Sequence, residues 1–196
     1  MTKGKHIGLF FGSFNPIHTG HLIIAEYMAT RADLQQVWFV VSPHNPLKNQ
    51  ATLARDFDRL HMVQLAIDDN PRLKVSKIEF SLPKPSYTID TMAYLHEKYP
   101  QHTFSLIMGA DNIKSIARWK NYELLLSRYT IHIYNRKGSR VDKAAEQGAD
   151  IRTYDTPMLD ISSTYIRQCI REGLSIRYMV PDSVFEFLEG SRLYRQ

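Results

Sequence analysis

The chain has one cysteine, Cys169, in 196 residues. That excludes an intrachain disulfide framework and a cysteine-rich metal site, and Cys169 itself reads as a small packing residue. No apolar run approaches the roughly 20 residues that a membrane-spanning helix needs. The run at 7–11 is also too short for a signal-peptide core, so the expected location is the cytoplasm, with no membrane partner. Internal repeats and low-complexity tracts are missing. Neither GxGxxG nor GxxxxGK[ST] occurs, which removes the dinucleotide fingerprint and the Walker loop. There is no basic stripe with interleaved aromatics, so nucleic acid is not an expected partner. Neither sign of charge dominates: 25 Lys and Arg stand against 20 Asp and Glu, a scattered excess of +5 that suits anionic ligands.

What is present describes a globular α/β protein. At 43% hydrophobic and 23% charged, the composition is that of a packed chain, and the length supports one domain with a sizeable core. Short β-rich apolar runs at 7–11, 37–41, 104–108 and 131–134 read as strands buried on both faces. Weaker strands are expected at 73–79 and 150–154. Helical spacing fills the gaps: Leu22, Ile23, Ala25, Glu26 and Ala29; then Leu60, Val63, Gln64, Ala66 and Ile67; then Ile89, Met92, Ala93, Leu95 and His96. One or two shorter helices are expected within 113–126. Such alternation predicts a Rossmann-like open, mostly parallel sheet with helices on both faces. Its ligands bind beyond the carboxyl ends of the strands. After residue 160 the pattern changes to two helices, 163–172 and 182–189, joined through Gly173 and Pro181. The expected organisation is therefore a single domain over 1–196, with an α/β core at 1–160 and a small helical cap at 161–196. The loop at 42–52 is long for a strand-to-helix connection, a length that tends to carry function.

The most informative segment runs Gly12-Ser13-Phe14-Asn15-Pro16-Ile17-His18-Thr19-Gly20-His21, between the first strand and the first helix. A helix start carries unpaired N–H groups and positive partial charge, which attract phosphate. Gly12 and Gly20 permit close backbone approach or a positive φ. His18 and His21, three apart, can face one side and donate to oxygens that gain charge in a transition state. A histidine pair can also ligate zinc, but no third ligand stands at a matching spacing. Near the other end, Asp160-Ile161-Ser162-Ser163-Thr164-Tyr165-Ile166-Arg167 supplies an N-cap at Ser162 and hydroxyls at a second helix start. Arg167, one turn on, can reach the same anion.

Residues 12–21 closely resemble the HxGH signature of the nucleotidyltransferase superfamily, in the form carried by bacterial nicotinate mononucleotide adenylyltransferases. Phe11 and Asn15 stand where that family commonly has glycine and aspartate, so a catalytic carboxylate at 15 is not available. The resemblance implies that His18 and His21 bind ATP phosphates and stabilise the transition state, within an ATP-binding turn made of Gly12, Ser13, Phe14 and Gly20. The run 162–167 looks like the family's SSTxxR signature, which implies that Ser162, Ser163, Thr164 and Arg167 bind the β- and γ-phosphates. Met108-Gly109-Ala110-Asp111 resembles the family's GAD stretch, placing Gly109 and Asp111 on the nucleotide, with Asp111 on ribose hydroxyls. Read alone, Asp111 is as readily an N-cap.

On the other substrate, Asn15 and Tyr87, Thr88 and Thr91 of the Y[ST]xDT-like segment are implied along the pyridine mononucleotide. Thr88 also reads as an N-cap, with Thr91 three residues on. Lys48, in a stretch similar to the family's substrate loop, is implied at its phosphate or is a surface charge. Trp119 either stacks on the pyridine ring or packs half-buried. Arg136, in Asn135-Arg136-Lys137-Gly138, resembles an adenosine-side element, with Lys137 in place of the usual proline. The likeness runs from about Ile7 to Leu188.

The reaction so implied joins ATP and nicotinate mononucleotide into deamido-NAD and pyrophosphate. Mg²⁺ is expected with ATP, held mainly by phosphates and water rather than by protein side chains. The same mechanism on nicotinamide mononucleotide or phosphopantetheine remains open, as does a non-catalytic nucleotide sensor. His18-Thr19-Gly20-His21 also looks like the HIGH motif of class I aminoacyl-tRNA synthetases, and Lys74-Val75-Ser76-Lys77 superficially like their KMSK. That tetrapeptide falls mid-chain on an expected strand, and no length remains for a tRNA-reading domain.

Overall fold

A computed structural model describes residues 4–43, 52–135 and 149–195. The strands are β1 (His6–Gly12), β2 (Gln36–Val41), β3 (Leu73–Ser76), β4 (Thr103–Gly109), β5 (Ile131–Tyr134) and β6 (Ile151–Tyr154). The helices are α1 (Thr19–Arg31), α2 (Asp56–Ile67), α3 (Thr88–Lys98), α4 (Ala110–Ile113), α5 (Tyr122–Arg128), α6 (Ser163–Arg171) and α7 (Asp182–Glu189). All six strands pair in parallel, in the order β3-β2-β1-β4-β5-β6.

Period-2 alternation sends neighbouring side chains to opposite faces. Ile7 and Leu9 of β1, Trp38 and Val40 of β2, and Leu106 and Met108 of β4 meet Ile89, Met92 and Leu95 of α3 and Leu125 of α5. Phe10, Phe39, Ile107 and Tyr134 point the other way. They meet Ile24, Ala25 and Met28 of α1 and Met62, Val63 and Ile67 of α2. Both faces are thus covered, which is why these strands read as continuous apolar runs.

Helices α6 and α7 join the second of these layers through Ile166, Cys169, Val184 and Leu188. Ser183 Oγ of α7 also donates to the Leu65 carbonyl of α2 at 2.9 Å. Cys169 is buried as a free thiol, in a packing position.

Three local expectations need correction. The strand expected at 73–79 stops at Ser76, and a 3₁₀ turn, Ile78–Ser81, follows it. Its residue Glu79 is drawn inward by hydroxyls, and that inward turn ends the ladder. Helix α3 takes Tyr87, not Thr88, as its N-cap residue. Asp111 is no N-cap either; Gly109 precedes α4 in that position.

The sheet order reverses between β1 and β4, because β1 leads outward to β2 and β3 while β4 leads to β5 and β6. Open parallel sheets bind ligands in the crevice beyond the strand ends at that switch. Gly12 ends β1 and Gly109 ends β4, so the two motif turns flank one crevice.

Candidate active site

The turn between β1 and α1 is built around a residue in a costly conformation. Phe14 has φ 45°, in the left-handed region that non-glycine residues avoid. Packing holds it there: its ring is buried edge-on against Phe39 at 5.3 Å and His21 at 5.2 Å between centroids. A Cβ on Gly12 would lie 2.7 Å from that ring, so Gly12 is required by close packing. The positive φ anticipated for Gly12 or Gly20 falls instead on Phe14, whose side chain is core beneath His21.

Arg59 of α2 fixes the same turn from below. Its side chain is fully buried. It donates to the carbonyls of Ser13 at 2.6 Å, Ser42 at 2.8 Å and Ala54 at 3.0 Å, and pairs with Asp56 at 2.7 Å. Burial lowers its pKa, and the Asp56 carboxylate opposes that fall. Asn15 is buried too, its side chain bonded to Thr52, Ala54 and Tyr194. The turn is over-determined, which suits a site that must hold its shape.

His18 is the N-cap residue of α1, and its ring stacks on that of His21 with centroids 3.7 Å apart and planes 27° apart. The His18 N–H donates to His21 Nδ1 at 3.3 Å. Gly20 is buried in the first turn between them. One N–H of that helix start is already committed, since Thr19 donates to the Met179 carbonyl at 2.9 Å.

The second motif comes to the first. Ser162 caps α6, its Oγ accepting from the Tyr165 N–H at 3.1 Å. Ser163 Oγ donates to the Pro16 carbonyl at 2.8 Å, and Arg167 Nη1 donates to the Asn15 carbonyl at 2.8 Å. Arg167 Nη2 bonds Thr164 Oγ1 at 3.3 Å. Its Nε is buried with no partner among the described residues. Residues about 150 apart in sequence therefore set two helix N-termini, two imidazoles and a guanidinium on one turn. Positive partial charge from both helices converges there, an arrangement suited to a polyphosphate.

Across the switch, a Cβ on Gly109 would strike the Asp111 carboxylate and come 3.1 Å from the Tyr134 ring. Asp111 is exposed at the start of α4. Trp119 is half-buried against the α3-side core, and its Nε1 is buried without a partner among the described residues. The next residue, Lys120, lies over the Tyr87 ring at 5.0 Å and pairs with Asp90 at 2.8 Å, so the Tyr87 and Trp119 segments adjoin. Thr88 is half-buried in the first turn of α3. Thr91 is fully buried, with Oγ1 donating to Glu79 at 2.9 Å. Lys48 and Arg136 lie outside the described residues.

Three organising residues were missed by sequence reasoning. Arg59 had a signal, because it is in phase with Met62, Val63 and Ile67 on the buried face of α2. Glu79 accepts from Ser86 at 3.0 Å and from Thr91, in contact with Ser42 as well. Burial raises its pKa, and those hydroxyls hold the rise back. Tyr194 reaches Asn15 from the chain's far end, and nothing local in the sequence marks it. Among the described residues, no group of three or more His, Cys, Asp or Glu is placed to hold a metal ion.

An open parallel sheet whose switch-point turn carries HxGH, met by a second phosphate-type helix start, defines a nucleotidyltransferase-type α/β protein. Residues 9–169 match the Cytidylyltransferase-like family, to which the chain belongs. Within it, the chain is a member of the nicotinate-nucleotide adenylyltransferase family. It is 48% identical over 191 residues to a Flavobacterium johnsoniae protein named "probable nicotinate-nucleotide adenylyltransferase", covering 97% of this chain and 99% of the relative. A Cytophaga hutchinsonii protein of the same name is 49% identical, with 96% and 97% covered. The fold also matches the Plasmodium falciparum nicotinic acid mononucleotide adenylyltransferase complexed with NaAD, with TM-score 0.82, 21% identity and 97% of each chain covered.

Proposed function

We propose that this protein transfers the adenylyl group of ATP to nicotinate mononucleotide, forming deamido-NAD and pyrophosphate in NAD biosynthesis. The observation that carries the reading is the joining of Ser163 and Arg167 to the Asn15-Pro16 backbone, which assembles both phosphate signatures at the sheet's switch point. A mononucleotide phosphate oxygen attacks the α-phosphorus in line, and pyrophosphate leaves on the opposite side. That nucleophile is already anionic at neutral pH, so no general base is needed. Catalysis then rests on positioning and on stabilising charge at the transferred group.

In this reading His18 and His21 donate to α- and β-phosphate oxygens. Ser162, Ser163, Thr164 and Arg167 receive the leaving pyrophosphate, and the buried Arg167 Nε is the kind of unmet donor an anion satisfies. Gly12, Ser13 and Gly20 let the phosphates approach the turn, and Gly109 and Asp111 take the nucleotide's ribose. Tyr87, Thr88 and Trp119 line the mononucleotide side, with Lys48 and Arg136 assigned to the mononucleotide phosphate and the adenosine. Asn15 and Thr91 shape that side through the protein bonds described above rather than by direct contact. Mg²⁺ enters as part of the MgATP substrate and neutralises phosphate charge there. The core and the α6–α7 cap act as one domain, and the cytoplasm, where ATP is held, is the compartment we assign. No helix of the described residues is long and apolar enough to cross a membrane.

The test is pyrophosphate release from MgATP with nicotinate mononucleotide, nicotinamide mononucleotide or phosphopantetheine as acceptor. The expected result is a far higher kcat/KM for the nicotinate compound. Preference for the amide keeps the mechanism and changes the product; silence with all three, from folded protein that binds ATP, refutes the assignment.

A further inference from the structure

Both polar atoms of the Asn15 side chain are engaged by the protein. Its Nδ2 donates to the Thr52 carbonyl at 2.9 Å. Its Oδ1 accepts from the Ala54 N–H at 3.0 Å and from the Tyr194 phenol at 2.6 Å. Its main-chain carbonyl accepts from Arg167. One buried residue, three positions before His18, therefore joins the HxGH turn to the 52–54 segment, to α6 and to the C-terminal tail. The amide is the fitting choice, since it offers a donor to Thr52 and an acceptor to two partners.

Tyr194 is held in place for this contact. Its φ of 63° is costly for a tyrosine, and the tail around it is pinned. Leu193 N–H bonds Ser191 Oγ at 3.2 Å, and Arg195 Nε bonds the Ser191 carbonyl at 3.1 Å. The ring packs against the core layer that includes Ile166 and Val184. Burial raises the phenol's pKa, against the pull of the Arg167 and Arg59 guanidiniums, so the hydroxyl keeps its proton and acts as the donor to Asn15.

We propose that Tyr194 is a positioning residue for adenylyl transfer: its bond to Asn15 Oδ1 ties the C-terminus to the HxGH turn and holds His18 in register with α6. This rests on the reaction assigned above. A turn that loosens by tenths of an ångström still binds substrate but stabilises the transition state less well. The role therefore predicts a loss in kcat rather than in binding.

The experiment compares Tyr194→Phe with the unsubstituted chain. Removing one hydroxyl keeps the ring and its packing. The expected result is a fall in kcat of about fivefold, the equivalent of one hydrogen bond. Both KM values should stay within twofold, and Tm should fall by only about 2–4 °C, as for one lost hydrogen bond. In an Asn15→Ala background, Tyr194→Phe should cost nothing further. In an Asn15→Asp background it should cost at least as much as before, because a carboxylate accepts the phenol more strongly. An unchanged kcat overturns the proposal. So does a kcat fall of the same size in the Asn15→Ala background, or a fall that appears only with a large drop in Tm. The unsubstituted protein is assayed first: absence of turnover there refutes the reaction itself, whereas turnover with an indifferent Tyr194→Phe refutes the positioning role alone.

Discussion

Arg59→Met would test whether the HxGH turn is held from beneath. The methionine keeps an unbranched stem of similar shape, so packing in the buried α2 face is largely retained. What it loses is three short bonds, to the Ser13, Ser42 and Ala54 carbonyls, and the pair with Asp56. Each carbonyl left dry costs about 1 kcal/mol, toward the low end for such groups because loops can relax. Asp56 keeps Lys84 at 3.3 Å as a partner and is partly exposed, so its share is small. The sum is a destabilisation of about 3 kcal/mol, near the lower end for breaking a buried charge pair. For a chain of this size that corresponds to a Tm lower by roughly 6–12 °C. Urea unfolding would show the midpoint falling without a change in m, which separates lost stability from an altered denatured state. Arg59→Lys keeps the charge but loses the planar fork, and should fall about halfway. Turnover of folded Arg59→Met protein at low temperature should also drop, since the Ser13 and Ser42 carbonyls would be free to move. A loss below about 1 kcal/mol, with turnover intact, would refute the clamp.

His18→Ala should lower kcat about a hundredfold with a smaller rise in KM, as for loss of a donor to a transition-state oxygen; an unchanged kcat refutes that role. Trp119→Ala should raise KM for the pyridine mononucleotide about tenfold by removing a stacking face, whereas a protein that merely unfolds makes Trp119 core. His132 should make stability depend on pH. Burial, with smaller effects from His6 and Arg152, lowers its pKa from 6.5 to about 4. The folded protein thus binds this proton less readily than the unfolded chain. Stability is whole above pH 6.5 and is lost as pH falls toward 4, by about 3 kcal/mol in all. Denaturant unfolding at pH 7.5 and 4.5 should show a shallower loss in His132→Asn, and equal losses in the two proteins would refute the linkage.

Much of the fold was legible because the forces that set it are local. The apolar runs at 7–11, 37–41, 104–108 and 131–134 lie within β1, β2, β4 and β5 or overlap them closely, and buried parallel strands leave that mark in any sequence. Helices α6 and α7 end within a residue of their expected bounds because Ser162 and Gly173 punctuate the first and Pro181 and Gly190 the second. The strand expected at 73–79 stops at Ser76 because Glu79 turns inward toward hydroxyls contributed by Ser86 and Thr91, which the local pattern cannot show. The positive φ went to Phe14 rather than a neighbouring glycine for the same kind of reason, since the ring is fixed by Phe39 and His21.

The sequence by itself determined the class of sheet, the two motif turns and the pairing of His18 with His21, all of which follow from residue type and spacing within a few turns of chain. Only the tertiary structure decided who supports them. Arg59, Glu79 and Tyr194 act on residues far away in sequence, and their partners are backbone carbonyls or hydroxyls common to any chain. Desolvation makes such bonds strong, and desolvation is a property of the packed molecule, not of any segment.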